Sequence, residues 1–267
     1  MNCKICGKEI NEEFQKCNNI GYGSYSTIYL VCDANKPKYV IKKLFDKTDS
    51  ELDTCNKINY INNVLFTKYI TTINNDSIIY QYINGDSLGN YIYSNCETNR
   101  FINIVKNLVK QLYNLEQQNY YHLDINLNNI IVSNDQPYII DYGTLTNTSD
   151  ERKEYYGSYS YIPPEYLLDK NLIINKFDVF SIGIILFNKV AGFNPFNLSK
   201  YYKMKCWFWC KDESCKDRGK CLYKYMENNS KNITNKEIFN IIVRCLEFNP
   251  ERRFTLKELN DALKKYQ

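Results

Sequence analysis

The sequence predicts an α+β fold in two parts, a small β-rich lobe followed by a larger, mostly helical one. Strand-like alternation of β-branched and aromatic residues with polar ones runs through Phe14 to Cys32 and Tyr39 to Phe45. Helical periodicity takes over from Phe101, and between the two regimes Asn84-Gly85-Asp86 breaks the chain like a hinge.

Within the first part, Phe14 to Cys32 reads as two strands around a glycine-containing turn and Tyr39 to Phe45 as a third, together a small antiparallel sheet. Ser50 to Asn62 has helical character with Asp49 or Ser50 as its cap, and Ser77 to Ile83 returns to a strand. In the second part, Phe101 to Gln118 sets Ile104, Val105, Leu108, Leu112 and Leu115 on one helical face. Asp178 to Val190 is apolar nearly all round, which predicts a buried helix. After Asn249-Pro250, Leu256, Leu259 and Leu263 again recur at helical spacing. The boundaries are an N-terminal cysteine-containing segment at 1–13, a small lobe at 14–83 and a large lobe at 84–267, with a cysteine-rich insertion around 201–235.

A chain of 267 residues can bury roughly three-quarters of its unfolded surface, enough for a sizeable core. There is no run of about 18 apolar residues to span a bilayer, and Met1 to Asn11 is polar where a signal peptide would be apolar. The expectation is a soluble intracellular protein, cytoplasmic, with no membrane partner. The net charge of +4 arises from 34 basic and 30 acidic residues that are well mixed, so no basic stripe points to specific nucleic-acid binding. Oligomeric state is not legible.

Chemistry concentrates in one stretch. His122-Leu123-Asp124 is followed by Asn129 and then by Asp141-Tyr142-Gly143. Phosphoryl transfer needs a carboxylate near the acceptor hydroxyl and oxygen ligands for a divalent cation on the phosphates, and Asp124, Asn129 and Asp141 form such a set. Upstream, Gly21-Tyr22-Gly23-Ser24-Tyr25-Ser26 lies between two predicted strands, where backbone N–H groups could approach phosphates. Alone, that run reads equally as a hairpin turn. Lys42, at the end of Tyr39-Val40-Ile41, occupies an inward strand position with Lys43 facing solvent. Glu51 is the only glutamate between Lys42 and Glu97, on a helix that could bring its carboxylate to Lys42.

In order and spacing these motifs resemble the eukaryotic-type protein kinases, from about Phe14 to the C-terminus. Gly21 to Ile28 is similar to the glycine-rich loop, Val40-Ile41-Lys42 to the strand lysine and Glu51 to its helix partner. Tyr80-Gln81-Tyr82-Ile83 resembles the segment that receives adenine, with Tyr80 as gatekeeper. Gly157 to Glu165 resembles the end of the activation segment, and Asp178 and Arg253 match the residues that brace the catalytic loop and pair with Glu165. The resemblance implies a bilobal kinase-like fold holding ATP and Mg²⁺, or Mn²⁺ in its place, and γ-phosphate transfer to a serine or threonine of a protein substrate. Asp124 would be the base, Asn129 and Asp141 the metal ligands, and Lys42 with Glu51 the phosphate contact. Gly21, Gly23, Ser24, Tyr25, Ser26, Ile28, Gln81 and Ile83 would bind the nucleotide. His122, the only histidine, is read as a core residue.

The departures from the family pattern matter too. Leu123 stands where many members carry the arginine that meets an activation-loop phosphate, so activity without that phosphate is expected. Asn126 replaces the catalytic-loop lysine and removes one positive contact. Ser26 and Tyr142 replace the usual third glycine and phenylalanine, and Ser158 stands at a family threonine that favours serine or threonine acceptors. These losses leave a nucleotide-binding pseudokinase scaffold as the alternative, with a small-molecule kinase of the aminoglycoside or choline type behind it.

Eleven cysteines without secretory context favour thiols or metal ligands over disulfides. Cys206, Cys210, Cys215 and Cys221 could close a structural zinc site, but they lack paired two-residue knuckles and free thiols are the preferred reading. Cys3 and Cys6 resemble one knuckle, with Cys17 and Cys32 as conceivable partners. Abundant Asn, Ile, Lys and Tyr fit an A/T-rich genome such as that of a large DNA virus or a protist, which would put the protein in host cytoplasm or a virion.

Overall fold

The computed structural model describes residues 18–22, 26–33, 36–45, 54–55, 58, 60–73, 76–94, 96–149, 157–169, 173–192 and 235–266. The chain forms two compact units, one of Met1–Tyr60 with Phe66–Asn84 and the other of Ile61–Leu65 with Gly85–Gln267. The first is built on a sheet and the second mostly on helices, the α+β division the sequence predicts.

The first unit carries β1 (Asn18–Tyr22), β2 (Ser26–Asp33), β3 (Lys36–Leu44), β4 (Tyr69–Ile73) and β5 (Ser77–Gln81). They form one antiparallel sheet in the order β1-β2-β3-β5-β4. β3 starts three residues ahead of Tyr39, because Pro37 lies at a register shift opposite Cys32, where a missing N–H is tolerated. Opposed residues in an antiparallel ladder point to the same face, so Ile28, Lys42 and Ile78 share one face with Val40 and Tyr80. Lys42 is half-buried and Lys43 exposed, as the alternation requires. Residues 54, 55 and 58 are helical and buried, and Cys55 Sγ lies 3.6 Å from the Tyr80 hydroxyl.

In the second unit, β6 (Asp86–Ser87) leads into α1 (Leu88–Tyr93), whose first turn is capped by the Ser87 hydroxyl. α2 (Thr98–Glu116) follows, burying Ile104, Val105, Leu108, Leu112 and Leu115 as their spacing predicts. Then come β7 (Tyr120–Tyr121), β8 (Ile130–Ser133), β9 (Gln136–Ile139) and β10 (Thr146–Asn147). β8 lies between β6 and β9, and β10 pairs with β7.

The remaining helices are α3 (Pro164–Asp169), α4 (Ile174–Ala191), α5 (Lys236–Cys245) and α6 (Leu256–Lys265). Every residue of α4 from Phe177 to Asn188 is buried, which explains why the segment is apolar nearly all round. α4 packs on α5, and α2 on α6. Contact is close at Gly183, where an added Cβ would come 2.7 Å from both the Cys245 Cβ and the Leu246 Cδ2. Among the described residues, no helix is long and apolar enough to cross a membrane.

Candidate active site

The site in the second unit begins where β7 ends. Asp178, on the first turns of α4, accepts the backbone N–H of His122 at 2.9 Å and of Leu123 at 2.8 Å. Those bonds hold Leu123 at a φ of 65°, a left-handed conformation that costs about 1–2 kcal/mol for a residue with a Cβ. Burial pushes the Asp178 carboxyl upward, while His122 and the two N–H bonds act in the opposite direction. The Leu123 side chain is fully buried in a cluster with Tyr121, Ile162, Tyr166 and Phe177. His122 is fully buried too. Its Nδ1 accepts from Asp124 N at 3.3 Å, its carbonyl accepts from Thr144 Oγ1 at 2.7 Å, and its Nε2 has no hydrogen-bond partner.

The next turn aims the Asp124 carboxylate. Its Oδ1 accepts from Asn126 Nδ2 at 3.1 Å and from Ser158 N at 2.8 Å, and its Oδ2 accepts from Asn129 Nδ2 at 2.9 Å. Asn126 Nδ2 also lies 2.9 Å from Ser158 Oγ, and Asn126 Oδ1 accepts the N–H groups of Asn128 and Asn129 at 2.9 and 3.2 Å.

Asp141 is brought to this turn by a hairpin. Asn134 and Asp135, with φ of 49° and 60°, make the two-residue turn that suits the twist of β8 and β9. The register Ile130 to Ile139 then puts Ile140 N 3.0 Å from the carbonyl of Asn129. Asp141 follows directly, its Oδ1 accepting from Gly143 N at 3.2 Å.

Because the Asn129 amide nitrogen is committed to Asp124, its oxygen is the atom available to a cation, and with the Asp141 carboxylate it makes a hard oxygen donor pair. That chemistry fits Mg²⁺, which takes one or two protein ligands and completes its shell with phosphates and water. No cluster of three or more His, Cys, Asp or Glu side chains suited to a metal occurs among the described residues.

Beyond Ser158, Tyr161 is buried in a short 3-10 turn, and burial raises its hydroxyl to about 12. α3 then presents Glu165 to Arg253 in two parallel bonds of 2.7 and 2.8 Å. Arg253 also donates to the Glu247 carbonyl and stacks 4.9 Å from the Phe180 ring.

In the first unit, Gly21, Ser26, Ile28, Lys42 and Gln81 lie on the sheet, with Ile83 just after it. The Gln81 carbonyl accepts from Thr67 Oγ1 at 3.0 Å, and its N–H donates to the Lys68 carbonyl at 2.9 Å. Gly23, Ser24, Tyr25, Glu51 and all the candidate zinc ligands, Cys206, Cys210, Cys215 and Cys221 as well as Cys3, Cys6 and Cys17, fall outside the described residues, as does the Cys32 side chain. In the sequence alone Asn126 reads only as a lost lysine. The Asp-x-Asn spacing before a turn was the available signal, since such an amide caps backbone two residues on.

A model of the protein kinase domain matches residues 14–263. The chain belongs to the eukaryotic-type protein kinase family. It is 24% identical to the serine/threonine-protein kinase cds1 of Schizosaccharomyces pombe, covering 94% of this chain and 58% of that protein. It is 23% identical to CBL-interacting serine/threonine-protein kinase 19 of Arabidopsis thaliana, over 91% of this chain and 51% of that one. Against the leucine-rich repeat receptor protein kinase EMS1 of Arabidopsis thaliana the identity is 26%, over 70% of this chain and 17% of the receptor. This kinase chain thus spans from under a fifth to just over half of these relatives' lengths.

Proposed function

We propose that the chain is an ATP- and Mg²⁺-dependent protein kinase acting on serine and threonine hydroxyls. The observation that carries this reading is the Asp124 carboxylate, held on both oxygens by Asn126, Asn129 and Ser158, with Asn129 tied by its carbonyl to the residue before Asp141. Bound Mg-ATP supplies the γ-phosphoryl group and offsets the charge on its oxygens. Asp124 orients the acceptor hydroxyl and takes its proton, and Asn129 and Asp141 offer oxygens to the cation. Lys42 meets phosphate oxygens. Glu51, from its place in the sequence, is the proposed partner of Lys42. Ser158 and the named serine/threonine relatives favour the acceptor class.

Activity without activation-segment phosphorylation follows from Leu123, which joins the catalytic loop to Ile162 and Tyr166 through apolar packing. The second reading, a nucleotide-binding scaffold, draws on the neutral Asn126. Incubation with Mg-ATP and a mixed protein panel, followed by phosphoamino-acid analysis, separates them. Labelled serine and threonine are expected, and Asp124→Ala should lower turnover at least about 10²-fold with nucleotide affinity nearly intact. Nucleotide binding without transfer supports the scaffold. Transfer to small molecules alone supports an aminoglycoside- or choline-type kinase, and full activity of Asp124→Ala removes that residue from its role.

A further inference from the structure

Asn126 is only 4% exposed, and its amide is used to capacity. A side-chain amide offers two N–H groups and two lone pairs. The nitrogen of Asn126 is within 3.2 Å of the Asp124 carbonyl, 3.1 Å of Asp124 Oδ1 and 2.9 Å of Ser158 Oγ. The oxygen takes the N–H groups of Asn128 and Asn129. A solvent-facing replacement for a lost lysine would need none of these bonds.

The bonds converge on one group. Asn126 holds Asp124 Oδ1 directly, and Asn129, whose turn the Asn126 oxygen caps, holds Asp124 Oδ2 at 2.9 Å. Ser158 reaches the same Oδ1 through its backbone N–H at 2.8 Å while its hydroxyl is bound to Asn126. Both sides of the carboxylate, and the stretch of activation segment beside it, thus depend on one neutral amide.

We propose that Asn126 is a positioning residue for phosphoryl transfer, fixing Asp124, Ser158 and the Asn129 turn as one unit. This rests on the kinase reading above. It assigns the amide a task that an ammonium group performs only in part: a lysine donates hydrogen bonds but has no acceptor for the two N–H groups of the turn. The loop is therefore built around the amide, and restoring positive charge does not improve it.

Three variants dissect this. Asn126→Ala removes every bond, Asn126→Lys keeps donors alone, and Asn126→Asp keeps acceptors alone while setting a second carboxylate against Asp124. Misplacing a reacting group by about 1 Å costs on the order of 10²-fold, so Asn126→Ala should lower kcat by about that factor with the KM for ATP within about twofold of wild type. Both Asn126→Lys and Asn126→Asp should stay below wild type in kcat. Adding Ser158→Ala to Asn126→Ala should cost less than about twofold more, because the two hydroxyl and amide groups act through one bond.

Hydrogen exchange supplies a readout that needs no turnover. The Ser158 amide, bonded to Asp124 Oδ1, should exchange at least about tenfold faster in Asn126→Ala and Asn126→Asp. Unchanged exchange, an Asn126→Lys enzyme faster than wild type, or a loss falling equally on kcat and on ATP affinity would each overturn the proposal. A wild-type protein that transfers no phosphate sinks the kinase reading instead, while the exchange rates still decide whether the amide holds the two segments together.

Discussion

Leu123 combines two properties that rarely coincide, a left-handed backbone at φ 65° and a fully buried side chain. The backbone is imposed by Asp178, whose two oxygens take the consecutive N–H groups of His122 and Leu123. A carboxyl whose folded pKa is raised, as burial does to Asp178, favours folding fully below its unfolded value and loses that contribution as pH rises through the folded value. The two N–H bonds, one to each oxygen, act against that rise. The side chain of Leu123 follows from the apolar surroundings: Tyr121, Ile162, Tyr166 and Phe177 offer no anion. Leu123→Arg would put an unpaired guanidinium into this cluster and should lower stability by about 3–5 kcal/mol, read as a fall in the urea midpoint at constant m. A variant as stable as wild type would mean that the cluster admits a charge, and the case for a phosphate-independent activation segment would lose its footing.

Helices in this chain are shaped by caps and close approaches as much as by propensity. Lys189, near the end of α4, donates to the carbonyls of Tyr91, Ile92 and Cys96 and so closes the C-terminus of α1. α6 opens with a reciprocal capping box, in which Thr255 Oγ1 accepts Glu258 N and the Glu258 carboxylate accepts Thr255 N at 2.7 Å. That backbone bond, ahead of the others, lowers the Glu258 pKa. A depressed folded pKa adds stability above the unfolded value and loses it as pH falls through the folded one. Thr255→Ala should cost about 1 kcal/mol at neutral pH, and in Glu258→Gln the loss of stability on acidification should be shallower than in wild type. Identical acid limbs in urea titrations would show that the exposed box contributes nothing through its charge. The helices with strong apolar repeats were legible from their own residues, since Leu108 and Leu112 or Leu259 and Leu263 face a core whatever packs on it. β4 was not, because Tyr69 to Ile73 are all half-buried and show no two-residue alternation. Of the site, the sequence displayed Asp124, Asn129 and Asp141 through their spacing; the bond from Asn126 to Ser158 stayed hidden because Ser158 lies 32 residues away.

At the scale of the molecule, the second unit is assembled from two separate stretches of chain, Ile61–Leu65 and Gly85–Gln267. Nothing in the polar run Asn62-Asn63 announces this, because its partners are side chains in the last turns of α2 and just beyond its end, about fifty positions on. Gln118 Oε1 accepts Asn62 N at 2.9 Å and its Nε2 donates to Asn62 O at 2.9 Å, while Asn114 donates to Asn63 O. Gln111 reaches further in: its Oε1 accepts Leu65 N at 2.7 Å and its Nε2 donates to Pro137 O at 2.9 Å, so one side chain joins the short stretch, α2 and β9. Leu65 O in turn accepts Ile139 N at 2.8 Å. The two glutamines make similar bonds in different surroundings, and burial decides which bonds matter. At Gln118 the bonds to Asn62 are exposed, so water can replace the amide and Gln118→Leu should change stability by less than about 0.5 kcal/mol. Gln111 is 6% exposed, so Gln111→Leu leaves a backbone donor and a backbone acceptor poorly hydrated, at about 1–3 kcal/mol for each. Urea midpoints of the two variants should differ in that order, with Gln111→Leu also speeding hydrogen exchange at Leu65. If Gln118→Leu proved the more damaging, the inner amide would not be what keeps residues 61–65 with the second unit, and the outer pair of bonds would have to hold them there.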